Sequence, residues 1–279
     1  MKLTYAAPPT DLIPYVSAYY LFESDAAEIE DIERADIAQI RYFLEGGGNL
    51  TIAGKPLQVN APVTIFGPRM KASRITVRGP SRVFGFGLQP AGWAALTRLP
   101  ADKHINTVMD ASILFGPEPE VLRQQLCTLK TVFEMATVMN EASRLFYRRI
   151  EAVPHWFIRA VDAWLEARLS PDIADLEAAT NLSRRQIERL AKQLYGAPPK
   201  LLARKYRALR TANAIARSHN DWQDFIDEGF YDQSHCIREI KEFVGITPGA
   251  VRGHVSPLTN LTFDRSNLMG DIALLSAQT

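Results

Sequence analysis

The chain has 279 residues, 47% hydrophobic and 23% charged, which suits about two folded domains and excludes a disordered chain. Its net charge of +1 identifies no polyanionic partner, and no apolar run reaches the roughly 18 residues of a membrane-spanning helix. The N-terminus lacks the sustained apolar core of a signal peptide. We therefore expect a cytoplasmic protein with no membrane partner, and with Cys127 and Cys236 as reduced thiols.

The first 90 residues contain short β-branched and aromatic runs separated by turn residues, which is typical of an all-β domain. The glycine run Gly46–Gly48 and the pair Gly79-Pro80 are predicted turns. The spacing of the runs favours a barrel or a sandwich. The predicted strands are Tyr15–Glu23, Ile37–Glu45, Asn49–Ala53, Val63–Phe66, Ser73–Arg78 and Val83–Leu88.

After Pro90, apolar residues recur every three or four positions, which predicts helices. They cover Ala91–Leu96, Glu118–Lys130 and Phe133–Ile150, and another begins at Pro154. We place a domain boundary near Ala152–Pro154, so the fold class is α+β. The predicted parts are a β-rich, barrel- or sandwich-like sensor domain (1–116), a helical linker and candidate dimerisation region (117–153), an all-α domain (154–254) and an unassigned tail (255–279).

The all-α domain contains one pattern twice, because residues 183–192 align with residues 232–241. Each copy begins with a helix-capping residue, Ser183 or Asp232, and ends before a glycine, Gly196 or Gly245. A short helix and a tight connection precede each copy, so the sequence predicts two helix-turn-helix units. The short helices are Asp175–Thr180 and Trp222–Glu228, and one helix over Pro199–Ser218 connects the units.

The second helix of each unit has an apolar face and a polar face. In a helix-turn-helix this helix enters the major groove, where arginine can donate two hydrogen bonds to guanine. The alternative is a pair of amphipathic helices whose charged faces meet only water. The polar positions are Arg185, Arg189 and Lys192 in the first copy and Ser234, Arg238 and Lys241 in the second.

Charge is distributed unevenly between the two units. Residues 181–217 hold ten Lys/Arg and one acid, an excess of +9, whereas residues 218–254 hold three Lys/Arg and seven acids, an excess of −4. We predict that the first unit supplies most of the attraction to phosphate and that the second tunes site choice or contacts a protein.

The C-terminal motifs resemble those of the AraC/XylS family of bacterial transcription regulators. Leu182–Leu190 resembles the family's first recognition helix, and Gly229–His235 with Gly245–Pro248 resembles its C-terminal signature. The resemblance extends over about residues 155–253. It implies a sequence-specific DNA-binding regulator, either an activator or a repressor.

The N-terminal half is similar to a β-rich domain that is fused to many such regulators and whose ligand is generally unassigned. Leu12–Val16, Phe66–Arg69 and Phe84–Trp93 carry this similarity. The resemblance implies a sensor or dimerisation role for this half of the chain.

The family resemblance also implies which residues contact DNA. The base contacts would be Arg185, Gln186, Glu188, Arg189, Gln233, Ser234, His235 and Arg238. The phosphate contacts, which position rather than specify, would be Ser183, Arg184, Lys192, Lys200, Arg204, Arg207 and Lys241.

The sequence departs from the family pattern at several core positions. Glu177 and Phe225 stand where the family has alanine, and Ala191, Cys236 and Ile240 stand where it has aromatic residues. Losing a buried ring costs roughly 3–5 kcal/mol unless the space is refilled. We therefore expect repacking in both units, or looser units.

Candidate ligand-binding residues in the N-terminal domain are Gln39, Arg41, Arg69 and Trp93. Two alternatives are that Gln39 and Arg41 face water and that Trp93 packs in the core. The five histidines have no metal-ligand spacing, and no catalytic motif occurs, so we expect no cofactor, no metal and no enzymatic activity.

The expected partners are double-stranded DNA and an unknown small-molecule effector, with RNA polymerase and a second copy of the chain as further candidates. Two rival functions stay open. One is a small-molecule-binding protein whose degenerate helix-turn-helix region serves protein interaction, and the other is a β-barrel enzyme with a regulatory tail.

Overall fold

The structure is a computed structural model that describes residues 1–52, 55–59, 61–147, 153–218, 221–226, 229–253, 265, 268 and 271–277. Its N-terminal half is a β-sheet covered by helices, and its C-terminal half is helical, which confirms the predicted α+β class. Four positions named in the predictions lie outside the described residues. They are Ala53, Ile150 and Glu228, where predicted elements end, and Ala152 at the predicted domain boundary.

The sheet has eight strands, and every pairing in it is antiparallel. Within the part of the chain that the structure describes, the strand path runs β1-β2-β7-β4-β6-β8, with β3 beside β7 and β5 beside β4, and it does not close. The N-terminal domain is therefore an open, barrel-like sheet. The strands are β1 Lys2–Ala6, β2 Val16–Ser24, β3 Glu28–Glu33, β4 Ala38–Ile52, β5 Lys55–Val59, β6 Val63–Phe66, β7 Ser73–Leu88 and β8 Val108–Asp110.

The prediction of turns at Gly46–Gly48 and Gly79-Pro80 is wrong. Strand β4 continues through the glycine run with a shifted register, and β7 continues through Gly79-Pro80. Gly46 has φ +75°, and a Cβ there would lie 2.6 Å from the carbonyl oxygens of Arg78 and Pro80. Glycine lets these long strands bend, which allows the sheet to curve. Strands β1, β3, β5 and β8 had no sequence prediction.

Helices follow the sheet close to their predicted positions. The long helix predicted between the two units is confirmed, whereas the helix predicted from Trp222 is a short 3-10 segment, Trp222–Phe225. None of the described helices combines the length and apolarity needed to span a bilayer. The helices are α1 Pro90–Thr97, α2 Ser112–Phe115, α3 Glu118–Cys127, α4 Val132–Tyr147, α5 His155–Ala167, α6 Ile173–Thr180, α7 Arg184–Tyr195, α8 Pro199–Arg217, α9 Gln233–Phe243, α10 Pro248–Gly253 and α11 Leu274–Ala277.

Both helix-turn-helix units are docked on the N-terminal domain. In the second unit, the carbonyl oxygens of Phe243 and Glu242 accept hydrogen bonds from the amides of Ala35 (2.6 Å) and Ala72 (2.9 Å). In the first unit, Gly196 lies against Ile105, so closely that a Cβ would be 2.7 Å from Ile105 Cγ2. The positions of α7 and α9 are therefore set by the sensor domain as well as by α8.

A half-buried carboxyl group lies beside the core of the first unit. Tyr195 Oη lies 2.7 Å from Asp162 Oδ1 and 3.1 Å from Ile158 O. Burial raises the pKa of Asp162 to about 7, because removal from water penalises the charged form. When protonated, Asp162 can donate to the tyrosine oxygen while the tyrosine hydroxyl donates to Ile158.

We predict that Gly245→Ala loosens the docking of the second unit. Gly245 has φ +91°, and an added Cβ would lie 2.4 Å from Ile32 Cγ2 of the sensor domain. The left-handed conformation and the clash should lower the free energy of unfolding by about 1–3 kcal/mol in urea titrations. Gly249→Ala is the matched control, because its nearest contact would be Trp222 Nε1 at 3.9 Å. Equal effects of the two substitutions would contradict this account.

We also predict a pH-dependent effect of Asp162→Asn. Since the folded-state pKa of Asp162 is raised, its stabilising contribution is present below about pH 4 and is lost as pH rises through about 7. The variant should therefore gain stability relative to the wild type as pH rises from 4 to 8, measured by denaturant unfolding. Glu141→Gln, at an exposed position, is the control. A stability difference that is constant with pH would rule out this role.

Candidate nucleic-acid interface and ligand cavity

The first unit consists of α6, a three-residue turn and α7. Asp172 caps α6 by accepting the amide of Ala174 at 3.0 Å, and Asn181 ends it in the left-handed conformation. Ser183 then caps α7, and Gln186 Oε1 accepts its amide (3.0 Å) and its hydroxyl (2.7 Å). The predicted N-cap at Ser183 is confirmed, and this geometry fixes the angle at which α7 leaves the turn.

The second unit repeats this arrangement with a shorter first helix. Asp232 caps α9 by accepting the amide of His235 at 2.7 Å, which confirms the second predicted N-cap. Cys236, Ile240 and Phe243 are buried in one cluster with apolar residues of α8. Cys236 and Ile240 thus occupy buried positions at which the family pattern has aromatic rings.

The polar faces of α7 and α9 are turned to solvent. Five predicted base-contact residues are exposed, and their side chains form no hydrogen bond with another described residue: Arg185, Arg189, Gln233, Ser234 and Arg238. Among the predicted phosphate contacts, Ser183, Arg184, Lys192, Lys200 and Lys241 are exposed as well. Glu188 is half-exposed and lies 3.7 Å from Arg184.

Two predicted base contacts are engaged within the protein. Gln186 Oε1 belongs to the Ser183 cap. His235 Nδ1 accepts the amide of Tyr231 at 3.3 Å, and its Nε2 lies 3.1 Å from Glu239 Oε1. We therefore reassign Gln186 and His235 to the support of their helices. Tyr231, which the sequence did not single out, is 93% exposed beside the N-terminus of α9.

The predicted phosphate roles of Arg204 and Arg207 need correction. Arg207 is 9% exposed, and its Nε and Nη2 donate to Glu239 Oε2 at 2.9 and 2.7 Å. Arg204 donates to Glu239 and Glu242 at 2.7 and 2.8 Å. Glu239 is itself buried. These charge-assisted hydrogen bonds therefore connect α8 to α9 inside the protein. They are not free to contact phosphate in this arrangement.

The difference in net charge between the two units is therefore smaller at the protein surface than the sequence counts suggest. Of the ten Lys/Arg in residues 181–217, Lys205 and Arg207 are buried, and Arg204 and Arg210 are half-buried. Six remain exposed, and two acids of the second unit neutralise cations of α8. A cleft of about 580 Å³ lies between the units, with Arg184, Lys200 and Arg204 among its lining residues.

A second candidate site is a cavity of about 80 Å³ inside the N-terminal domain. Three of the four predicted ligand-binding residues, Gln39, Arg41 and Arg69, line it together. Gln39 and Arg41 are 2% and 8% exposed, so the alternative that they face water is wrong. One part of the lining is apolar and includes Phe22, Leu50, Phe66, Ile75, Val77 and Val83.

Trp93 does not line this cavity, which corrects its assignment as a ligand contact. It is 1% exposed in the core between the sheet and the helices. Its Nε1 donates to the carbonyl oxygen of Leu99 at 2.8 Å. The alternative that Trp93 packs in the core is therefore correct.

The polar part of the cavity is a network of ion pairs around Asp36. Arg265 donates to both Asp36 carboxylate oxygens at 3.1 Å, and Gln39 Nε2 donates to Oδ2 at 2.5 Å. Although burial opposes it, the guanidinium groups of Arg265 and Arg69 hold the pKa of Asp36 below its ordinary range. Sequence reasoning missed this role of Asp36 and Arg265, because neither residue lies in a motif.

A second acid, Glu33, belongs to the same network. It pairs with Arg41 at 2.9 Å and also with Arg69. Burial opposes ionisation of Glu33 too, yet Arg41 and Arg69 lower its pKa. In the described part of the chain, no three His, Cys, Asp or Glu side chains are arranged to hold a metal ion.

Comparison with known proteins identifies both halves of the chain. A helix-turn-helix domain family matches residues 176–254, and a domain of unknown function (DUF6597) matches residues 4–110. No curated protein matches the chain.

Similar solved structures include ToxT from Vibrio cholerae. Its form with bound unsaturated fatty acid is 10% identical, with a TM-score of 0.47 over 86% of this chain and 96% of ToxT. ToxT from Vibrio cholerae O395 is 7% identical, with a TM-score of 0.43 over 82% of this chain and 99% of ToxT. The two domain matches confirm the resemblance predicted from the sequence: the chain combines an AraC-type helix-turn-helix domain with an N-terminal domain of unknown function.

Proposed function

We propose that α7 and α9 enter successive major-groove segments on one side of a DNA duplex, and that an anionic effector in the N-terminal cavity modulates this binding. The observation that carries the DNA part is the exposure of Arg185, Arg189 and Arg238 on the outer faces of two helices that share one support, α8. An arginine on a helix that enters the major groove can donate two hydrogen bonds to guanine.

The DNA contacts divide between base edges and phosphates. We assign five residues to base edges, because their side chains are exposed on the polar faces and form no hydrogen bond with other described residues. They are Arg185, Arg189, Gln233, Ser234 and Arg238. We assign Ser183, Arg184, Lys192, Lys200 and Lys241 to phosphates, with Glu188 beside Arg184 as a further base-edge candidate.

The rival function, a degenerate helix-turn-helix that binds protein, rested on Glu177, Phe225 and the acidic second unit. Glu239 and Glu242 pair with α8, and Asp232 caps α9, so these acids serve the fold. Phe225 packs against the buried apolar cluster of the second unit. These observations favour DNA over protein as the partner of α9.

The effector part rests on the buried guanidinium groups and the apolar wall of the cavity. Among the described residues, the lining includes the guanidinium groups of Arg34, Arg41, Arg69 and Arg265 and the carboxylates of Glu33 and Asp36. Buried charges are costly unless they are paired, and Arg69 Nε is buried with no hydrogen-bond partner in the described structure. Because apolar side chains form the remaining wall, we propose a carboxylic acid with an apolar body as the effector.

Further partners follow from this function. DNA binding would place the protein in the cytoplasm, in contact with RNA polymerase. Phe133 and Leu145 of α4 are 69% and 62% exposed, which supports a second copy of the chain as a partner of this helix. A monomer in sedimentation at micromolar concentration would count against the dimer.

We predict different salt dependences for base and phosphate contacts on a duplex taken from the DNA upstream of the protein's own gene. Lys200→Ala should weaken binding to all sequences and reduce the slope of log K against log salt by about 0.9. Arg185→Ala should lose roughly 10- to 100-fold in affinity for the specific duplex and little for random DNA. Fluorescence anisotropy across a salt series measures both.

Two comparisons make this test decisive. Arg78→Gln, an exposed arginine of the sensor domain, should leave binding unchanged. Arg189→Ala tests the first unit, and Arg238→Ala tests the second. Arg189→Ala should cause the larger loss of DNA affinity and the larger decrease in the slope of log K against log salt. If both lost the same affinity and slope, the larger role of the first unit would be refuted. If Arg185→Ala affected all DNA alike, α7 would not read sequence.

We predict that octanoate raises the melting temperature of the protein and that octan-1-ol raises it much less. Ligand at about 100 times its Kd stabilises the native state by roughly 2.7 kcal/mol, which thermal unfolding detects readily. The alcohol is the matched control because it shares the apolar body and lacks the charge. Equal stabilisation by both compounds would exclude recognition of the anion.

A further inference from the structure

Tyr231 lies in the turn that precedes α9 and presents its ring to solvent. It is 93% exposed, whereas Phe133 and Trp156 are 69% and 49% exposed. Its hydroxyl forms no hydrogen bond with another residue in the described part of the chain. A single exposed ring is common on protein surfaces, but the backbone position of this one is tightly defined.

The backbone on both sides of Tyr231 is held by the second unit. The preceding side chain, Phe230, is buried in the apolar cluster of this unit. The following residue, Asp232, caps α9 by accepting the amide of His235 at 2.7 Å. The amide of Tyr231 itself donates to His235 Nδ1 at 3.3 Å. Ordering the ring on a partner therefore costs side-chain entropy but little backbone entropy.

The two units differ at the start of their recognition helices. Residues 182–184 of the first unit align with residues 231–233 of the second. In the first unit, Leu182 packs against the core, a neutral serine caps the helix, and Arg184 is an exposed cation. In the second unit the same positions hold Tyr231, the acidic cap Asp232 and the neutral Gln233. At these three positions the second unit thus offers phosphate no cation, and its cap carboxylate repels phosphate.

We propose that the hydroxyl of Tyr231 donates a hydrogen bond to a DNA phosphate and that its ring packs on the adjacent deoxyribose. This inference rests on the proposed entry of α9 into the major groove. The N-terminal residues of a recognition helix contact base edges, so the residue ahead of its N-cap lies at the rim of the groove, beside the sugar-phosphate backbone. Tyrosine is among the side chains that donate to phosphate in protein–DNA complexes.

A neutral phosphate contact differs from a cationic one in its response to salt. A lysine or arginine that pairs with phosphate releases condensed counterions, so its loss reduces the slope of log K against log salt by about 0.9. A tyrosine hydroxyl carries no charge and releases none. Loss of the Tyr231 hydroxyl should therefore lower DNA affinity by the same factor at every salt concentration and leave the slope unchanged.

The test uses the full-length chain and fluorescence anisotropy across a salt series, with the duplex from upstream of its own gene and a random duplex. Tyr231→Phe removes only the hydroxyl and should weaken binding roughly 3- to 10-fold, the range of one hydrogen bond. Tyr231→Ala also removes the ring and should lose more affinity, again without a change of slope. Lys241→Ala, at an exposed cation of the same unit, is the matched comparison and should reduce the slope by about 0.9. Because Tyr231 is exposed, Tyr231→Phe should keep the melting temperature of the wild type.

The outcomes separate this role from the DNA-binding function. If Lys241→Ala lowers the slope while Tyr231→Phe binds DNA as tightly as the wild type, the phosphate contact of Tyr231 is refuted and the DNA-binding function stands. If Tyr231→Phe lowers the slope as much as Lys241→Ala does, the contact is not a neutral one and the proposal is wrong. If the wild type binds neither duplex at low salt, the DNA-binding function fails and the role of Tyr231 fails with it.

Discussion

The segment Arg34–Asp36, between β3 and β4, is the point at which the sensor domain, the C-terminal segment, α8 and α9 meet. Its Asp36 carboxylate binds Arg265 of the C-terminal segment, and its backbone accepts Lys205 Nζ of α8 at 2.7 Å. The amide of Ala35 donates to Phe243 at the end of α9. Lys205 is 1% exposed at this junction, and burial lowers its pKa to about 7. A change at the polar end of the cavity therefore lies one residue from contacts to α8 and α9.

The second constraint is the ion-pair network between α8 and α9. Glu239 is buried under Arg204, Arg207 and His235, so this acid of the second unit is neutralised inside the protein. Buried pairs of this kind add little net stability, but breaking one is costly. The network fixes the orientation of α9 on α8, and the sensor domain fixes the outer side of the same unit. The two recognition helices are thus held in one framework rather than on a flexible tether.

Local patterns in the sequence were enough to predict the elements whose hydrogen bonds and apolar contacts lie within a few residues. Ser183 and Asp232 cap α7 and α9 because an oxygen acceptor next to free backbone amides works within one turn of helix. The apolar stripe of each recognition helix was equally visible. The turns predicted at Gly46–Gly48 and Gly79-Pro80 were wrong, because glycine marks a bend in a long strand as readily as a reversal. Whether pairing continues past the bend depends on the neighbouring strands.

The sequence by itself determined the fold class, the repeated helix-turn-helix units and the polar faces of α7 and α9, since each depends on contacts within a few residues. Only the tertiary structure decided which charges face solvent and are free to meet DNA. Arg204 and Arg207 match Arg185 and Arg189 in chemistry, yet two pair with buried acids and two meet solvent. The cavity was also beyond the reach of the sequence, because Asp36 and Arg265 are brought together across 229 residues. Long-range ion pairs of this kind leave no periodicity in a chain, since their partners are set by how the domains pack.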